Sequence, residues 1–128
     1  MREIKFRAWD SDDEVIRDWN NLLSHRYGKK EDSIFNDTDL TIMQFTGLQD
    51  SKGKDIYEGD ILEFDVFDSG ATIRRYFIVE WDALSCGFEA TWEHSVNGSG
   101  SCGLCSFNIA EENVEIIGNL YEHPELLK

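Results

Sequence analysis

The 128 residues of this chain include 12 Lys and Arg against 26 Asp and Glu, which gives a formal net charge of −14. Binding to phosphate backbones or anionic lipid depends on clustered Lys and Arg, so this charge argues against a general nucleic-acid or membrane-surface binder. The sequence is 41% hydrophobic and 12% aromatic, which supplies enough apolar material for one core. We therefore expect a single domain over residues 1–128.

The sequence also indicates where the protein works. Its start, MREIKFRAWD, alternates charged and apolar residues and lacks the apolar stretch of a secretory signal. Fully apolar runs such as residues 76–79 are far shorter than the roughly 20 residues of a membrane-spanning helix. We therefore expect a cytoplasmic protein. Three cysteines are an odd number, which argues against a disulfide framework and leaves reduced thiols or metal ligands.

The first predicted elements are a strand and a helix. Residues 3–9 alternate apolar and charged side chains, which is the period of a half-buried strand. Ser11 and Glu14 match a capping box, in which the two side chains satisfy free amides of a helix's first turn. This pattern predicts one helix near residues 12–27. Its apolar residues recur at helical spacing, although Val15 and Ile16 could instead continue a sheet.

The rest of the chain favours short strands separated by turn residues. The clearest hairpin signal is residues 68–70, which join two runs rich in β-branched and aromatic side chains. Counting the first strand, about six strands are expected, in a mainly β fold that forms a small antiparallel barrel or a strongly curled sheet. Pro124 begins at most one helical turn. The later strands are predicted over residues 40–46, 61–67, 72–81, 87–92 and 114–121. The predicted core includes Ile4, Phe6, Phe45, Ile61, Phe64, Ile78, Trp81, Phe88 and Ile117.

Four sequence blocks together resemble the YopX family of phage and prophage proteins. In chain order they are REIKFRAWD (2–10), MQFTGL (43–48), GKDIYEGDIL (53–62) and IGNLYEHPELL (117–127). The resemblance implies a bacterial or bacteriophage cytoplasmic protein that is a candidate for self-assembly. It implies no agreed biochemical activity and transfers no catalytic residue. Residues 12–40 and 83–112 lie outside the blocks and are interpreted from their own chemistry.

The sharpest local motif is Cys102-Gly-Leu-Cys105, because two thiolates two residues apart can share a tetrahedral zinc ion. Cys86 and His94 would complete a set of four ligands. The usual structural zinc site has two ordered ligand pairs, however, and Cys86 and His94 do not form one. Reduced structural thiols are therefore favoured, and no cofactor is expected.

Other candidate sites are weaker because each has a simpler structural interpretation. Residues 98–103 match GxGxxG, but without a following helix they favour a loop tip over a nucleotide site. The acidic pairs at residues 12–13, 37–39 and 111–112 are typical of a solvated surface. His25, His94 and His123 match no catalytic signature. Arg74 and Arg75 beside Tyr76 are the nearest approach to a base-stacking surface.

These observations favour a non-enzymatic accessory protein that self-associates or binds a host or phage protein. The alternative is an acidic nucleic-acid mimic that inhibits a host DNA-binding or defence protein, because a charge of −14 would attract basic partners. An enzyme with a metal or carboxylate site ranks third. Homo-oligomers are expected because one small core could leave several apolar residues uncovered, namely Trp19, Leu22, Leu23 and Leu104.

Overall fold

The computed structural model of the chain describes residues 3–24, 39–68, 70–94, 98–104 and 113–127. Strands make up most of these residues, so the prediction of a mainly β fold is confirmed. The described ranges include the short helix α1, Trp19–Ser24, and a C-terminal 3-10 helix, Pro124–Leu127. The strands are β1 Phe6–Asp10, β2 Val15–Arg17, β3 Leu40–Gln49, β4 Asp55–Tyr57, β5 Asp60–Asp68, β6 Ala71–Asp82, β7 Gly87–His94, β8 Gly98–Gly103 and β9 Glu115–Asn119.

The strands form two antiparallel sheets. The four-stranded sheet has the order β2-β1-β3-β4, and the five-stranded sheet has the order β8-β7-β6-β5-β9. Strands β5 and β6 form the long hairpin that the sequence predicts, with Ile61 opposite Ile78 at one end and Asp68 opposite Ala71 at the other. Gly70 has a φ of 84°, the left-handed conformation that glycine adopts without a steric penalty in a tight turn.

The predicted helix near residues 12–27 is wrong over its first half. Residues 11–14 form a turn, and β2 pairs with β1 through Trp9 opposite Ile16, which was the competing interpretation. The Asp10 carboxylate holds the turn by accepting hydrogen bonds from the amides of Asp12 and Asp13 at 3.0 and 3.2 Å. A local turn therefore competes successfully with the Ser11 cap. Helix α1 begins later, where the Asp18 side chain accepts a bond from the Asn21 amide at 2.7 Å.

The sequence pattern predicts β2 only as an alternative to the helix, and it does not predict β4 and β8. Strand β8 contains the GxGxxG match, so residues 98–103 form a strand and not the expected loop tip. It pairs with β7, with Cys102 opposite Ala90. The spaced glycines concealed this strand because they carry no β-branched or apolar pattern.

Two clusters of buried side chains form the core. The larger cluster contains side chains of both sheets and includes a stacked pair, Phe64 and Phe77, whose ring centroids are 3.9 Å apart. The smaller cluster joins α1 to the four-stranded sheet through Ala8, Leu22 and Leu40. No described helix is long and apolar enough to cross a membrane.

Of the nine predicted core residues, three are buried, four are partly buried and two are exposed. Phe45, Ile61 and Phe64 are buried. The predicted residues at partly buried positions are Phe6, Ile78, Phe88 and Ile117. Ile4 and Trp81 are 54% and 50% exposed, because Ile4 precedes β1 and Trp81 lies where β6 extends beyond the packed region.

This exposure changes the expected cost of removing the Trp81 side chain. Full burial would make Trp81→Ala cost about 3–5 kcal/mol. Because half of the side chain already contacts solvent, we expect the cost to be well below that range. Thermal unfolding of the variant measures the effect, and a loss as large as that of a buried aromatic residue would contradict the exposed position.

Candidate functional site

The four predicted zinc ligands do not all converge. Cys86 is exposed in the β6–β7 turn, whereas His94 ends β7, about seven residues farther along the strand. At about 3.4 Å per residue, their backbones are about 24 Å apart, which is too far for both residues to bind one ion. Cys102 lies opposite Ala90, near the middle of β7, and Cys105 is outside the described residues. Among the described residues, no group of three or more His, Cys, Asp or Glu could hold a metal ion.

The Cys102–Cys105 pair remains testable by substitution. We expect Cys102→Ser with Cys105→Ser to change stability only modestly, because reduced thiols contribute little beyond packing. Removing a structural zinc site would instead cost a large part of the folding free energy. Denaturant unfolding measures the change, and zinc released in stoichiometric amount on unfolding would contradict the expectation.

The other polar candidates are engaged in local structure. Arg74 forms ion pairs with Glu63 at 2.7 Å and Asp65 at 3.2 Å, so its charge is compensated on its own sheet. This pairing weakens the interpretation of Arg74 and Arg75 as a nucleic-acid contact. His123 accepts a hydrogen bond at Nδ1 from the Asn119 amide at 3.3 Å. His25 and the pair at 111–112 lie outside the described residues, as does Asp37.

The four blocks of the family resemblance meet around a buried ion pair. Arg7 of the first block donates to Asp60 of the third at 2.7 Å, and Asp60 is only 1% exposed. The other Asp60 oxygen accepts a bond from the Tyr57 amide at 2.8 Å, and the guanidinium carbon of Arg7 lies 4.8 Å from the centroid of the Tyr57 ring. Burial raises the pKa of the Asp60 carboxyl, while Arg7 and the Tyr57 amide oppose that rise by favouring the ionised form.

Gly59 brings the second and fourth blocks to the same place. Its φ is 82°, and an added Cβ would lie 3.1 Å from Met43 Sδ and 3.5 Å from Tyr121. The Gly59 amide donates to Val79 and its carbonyl accepts from the Leu120 amide. A glycine at this position therefore allows the sheets and the C-terminal segment to approach closely.

The fourth block forms a turn fixed by one side chain. Asn119 Oδ1 accepts hydrogen bonds from the amides of Tyr121 and Glu122 at 3.0 and 2.9 Å. The His123 ring covers Gly118 so closely that a Cβ there would lie 2.7 Å from Nδ1. The residues that carry the resemblance therefore have structural roles in the described contacts.

Two aspartates outside this junction should make folding sensitive to acid. Amide hydrogen bonds, chiefly from Asp13, lower the pKa of Asp10, and the Lys5 ammonium lowers the pKa of Asp55. A lowered pKa in the folded state means that the ionised carboxylate favours folding. This contribution is present above the ordinary value of 3.8 and is lost as the pH falls through the lower folded pKa.

We therefore expect the urea midpoint to fall as the pH drops below about 4. The Asp55→Asn variant should show a weaker decline because it lacks one of the carboxyl groups whose pKa is lowered. An identical pH dependence in the variant and the parent would contradict the role of Asp55.

A solvent-exposed apolar surface lies at the distal end of the β6–β7 hairpin. We define the hairpin end as Glu80, Trp81, Leu84, Phe88 and Glu89. Leu84 is 97% exposed, and the rings of Trp81 and Phe88 meet edge to face with centroids 5.1 Å apart. The turn between the strands is ordered, because the Asp82 carboxylate accepts bonds from the amides at positions 84 and 85. An ordered turn holds the apolar side chains in solvent.

The apolar residues expected to remain uncovered are mostly covered. Leu22 and Leu104 are buried, and Trp19 packs against the smaller core cluster. Only Leu23 of that set is well exposed, at 65%. The sequence pattern did not predict that Trp81 and Leu84 are exposed. Trp81 lies on the side of β6 that faces the core, and only the packing of the folded chain shows where the core ends.

The distribution of charged residues along the sequence also distinguishes the segment that contains the hairpin end. Residues 76–127 contain nine Asp and Glu and no Lys or Arg. Eleven of the 12 Lys and Arg precede residue 76. The hairpin end therefore lies in the half of the chain that has the stronger negative charge.

Comparison with known proteins agrees with this architecture. The crystal structure of protein EF1440 from Enterococcus faecalis is similar over 100% of both chains, with a TM-score of 0.66 and 27% sequence identity. No curated protein matches the sequence at a significant level. The family model described as YopX protein matches residues 5–128, which cover most of the first block, the other three blocks in full and nearly the whole chain. The chain therefore belongs to the YopX family.

Proposed function

We propose that this chain is a phage or prophage accessory protein that has no catalytic activity and acts by binding protein in the bacterial cytoplasm. The observation that carries the proposal is the hairpin end, where Trp81 is half-exposed and Leu84 is almost fully exposed on an ordered turn. Exposed aromatic and aliphatic side chains on a rigid element are typical of protein-binding surfaces. The partner is a second copy of the chain or a host or phage protein.

The sheet edges support the same proposal. Strand β8 pairs with β7, and no other described strand pairs with it, while β9 forms the opposite edge of the sheet. Strands at the edge of a sheet carry free backbone donors and acceptors that can pair with another chain. The buried charged groups do not favour catalysis, because Arg7 and Asp60 are directed at one another and at backbone groups.

Light scattering at micromolar concentration tests the self-associating form of the proposal. If the partner is a second copy of the chain, the protein is larger than a monomer, and Trp81→Ser with Leu84→Ser reduces it to a monomer. The matched control is Leu23→Ser, which removes an exposed leucine from α1. A monomeric parent protein excludes self-association at these concentrations, and equal effects of both variants exclude the hairpin end as the self-association surface.

A second candidate function is that of an acidic nucleic-acid mimic. The observation in its favour is that β6 and β7 place Glu80 opposite Glu89. Glu63 and Glu115 also lie opposite one another in β5 and β9, but they form ion pairs with Arg74 and Lys52. Such a mimic would occupy the phosphate-binding surface of a basic protein and would not bind duplex DNA itself. A mobility shift of plain duplex at physiological salt would contradict both candidates.

A further inference from the structure

We propose that the hairpin end binds a basic segment of a partner protein, in which Lys or Arg side chains alternate with apolar ones. This inference rests on the proposed protein-binding function and names the chemistry of the partner. Its basis is that a pair of carboxylates and an exposed tryptophan occupy opposite sides of the same ordered hairpin.

The carboxylate pair consists of Glu80 and Glu89. These residues are directly opposite one another in the register of β6 and β7. Like charges directly opposite across two antiparallel strands destabilise the pair. Within the described ranges, neither residue forms an ion pair with Lys or Arg, and Glu89 accepts a hydrogen bond from the Ser85 hydroxyl at 3.3 Å. A cationic side chain placed between the two carboxylates would remove their repulsion.

The surrounding charge favours a basic partner over a second copy of this surface. No Lys or Arg occurs between residues 76 and 127, and Asp82 adds a third carboxylate to the hairpin. Two hairpin ends brought together would place these carboxylates against one another. Complementary charge instead accelerates association and suppresses the wrong partners.

The other side of the hairpin supplies an apolar anchor. Trp81 lies opposite Phe88 and presents half of its surface to solvent, and Leu84 extends the apolar area at the turn. Tryptophan is enriched among the residues that dominate binding energy, and its ring also attracts Lys and Arg. An extended segment that crosses the end of the hairpin would contact the ring on one side and the carboxylates on the other.

Fluorescence anisotropy with three labelled peptides of equal length tests the inference. The first peptide alternates Lys and Leu, the second alternates Glu and Leu, and the third alternates Lys and Ser. We expect the Lys and Leu peptide to bind most tightly, with an affinity that falls as salt rises to about 0.3 M because screening weakens charge attraction. Self-association through an apolar surface has the opposite dependence, because salt screens the repulsion between two acidic copies.

Variants separate the contributions of the two sides. Glu80→Gln with Glu89→Gln should weaken binding of the Lys and Leu peptide roughly tenfold, and Trp81→Ser with Leu84→Ser should weaken it similarly. The matched control, Asp12→Asn with Glu14→Gln, removes the same charge from the β1–β2 turn and should change the affinity less than about twofold. The Glu80 and Glu89 variant should also melt no lower than the parent, because it removes a repulsion.

The outcomes distinguish this inference from the proposed function. If binding depends on Trp81 and Leu84 but not on Glu80 and Glu89, the hairpin end still binds protein, but the inference that its partner is basic is overturned. If the hairpin and control variants lose the same affinity, or if the Lys and Ser peptide binds as tightly as the Lys and Leu peptide, binding reflects only net charge. Either result overturns the inference. Self-association that strengthens with salt and depends on Trp81 and Leu84 would make a second copy the occupant, which also overturns it.

Discussion

Asp60→Asn is expected to lower the free energy of unfolding by about 3–5 kcal/mol, because it leaves the Arg7 guanidinium without its carboxylate in a buried site. Arg7 donates to Asp60 at 2.7 Å, and the two side chains are 13% and 2% exposed. Asparagine has nearly the same shape as aspartate and keeps an oxygen that can accept from the Tyr57 amide. The loss should therefore report the missing charge rather than a cavity.

Urea unfolding of two further variants tests the cause. Arg7→Met combined with Asp60→Asn removes both charges and should be more stable than Asp60→Asn alone, because no uncompensated guanidinium remains. Arg74→Ala breaks an exposed ion pair with Glu63 and should have little effect by comparison. If the double variant is no more stable than Asp60→Asn, the buried charge is not the source of the loss.

Phe77→Ala is expected to have an effect of similar size for a different reason. Phe77 is 3% exposed and stacks on Phe64 in the centre of the larger core cluster. Removing a buried phenylalanine side chain costs about 3–5 kcal/mol through lost burial and the cavity left behind. Urea unfolding at neutral pH measures the change.

The neighbouring residue provides a matched control on the same strand. Tyr76 projects from the other side of β6 and is 48% exposed. Tyr76→Ala removes a side chain of similar size and should cost clearly less than Phe77→Ala. Equal losses at the two positions would contradict the assignment of the sheet's buried face.

Some features of the hairpin end can be predicted from the sequence, and others cannot. The absence of Lys and Arg from residues 76–127 is visible in the sequence and indicates an acidic region. Alternation in β6 puts Trp81 on the same face as Phe77 and Val79, which are buried. The predicted core instead names Trp81 together with Ile78, which lies on the opposite face and is only partly buried. Alternation says nothing about how far along a strand the core extends, so it placed Trp81 in the interior. The opposed pair of Glu80 and Glu89 required the strand register, which no local pattern encodes.

The sequence by itself determined the mainly β class, the family and the long β5–β6 hairpin. These features follow from alternation, from β-branched and aromatic side chains, and from turn residues, all of which act over a few neighbouring positions. The tertiary structure decided features that depend on distant residues. It formed β2 where a helix was predicted, because pairing with β1 and the Asp10 turn outweighed local helical spacing. It also joined Arg7 to Asp60 across 53 residues and left Trp81 and Leu84 exposed, because burial depends on which elements pack together and not on the apolar character of one residue.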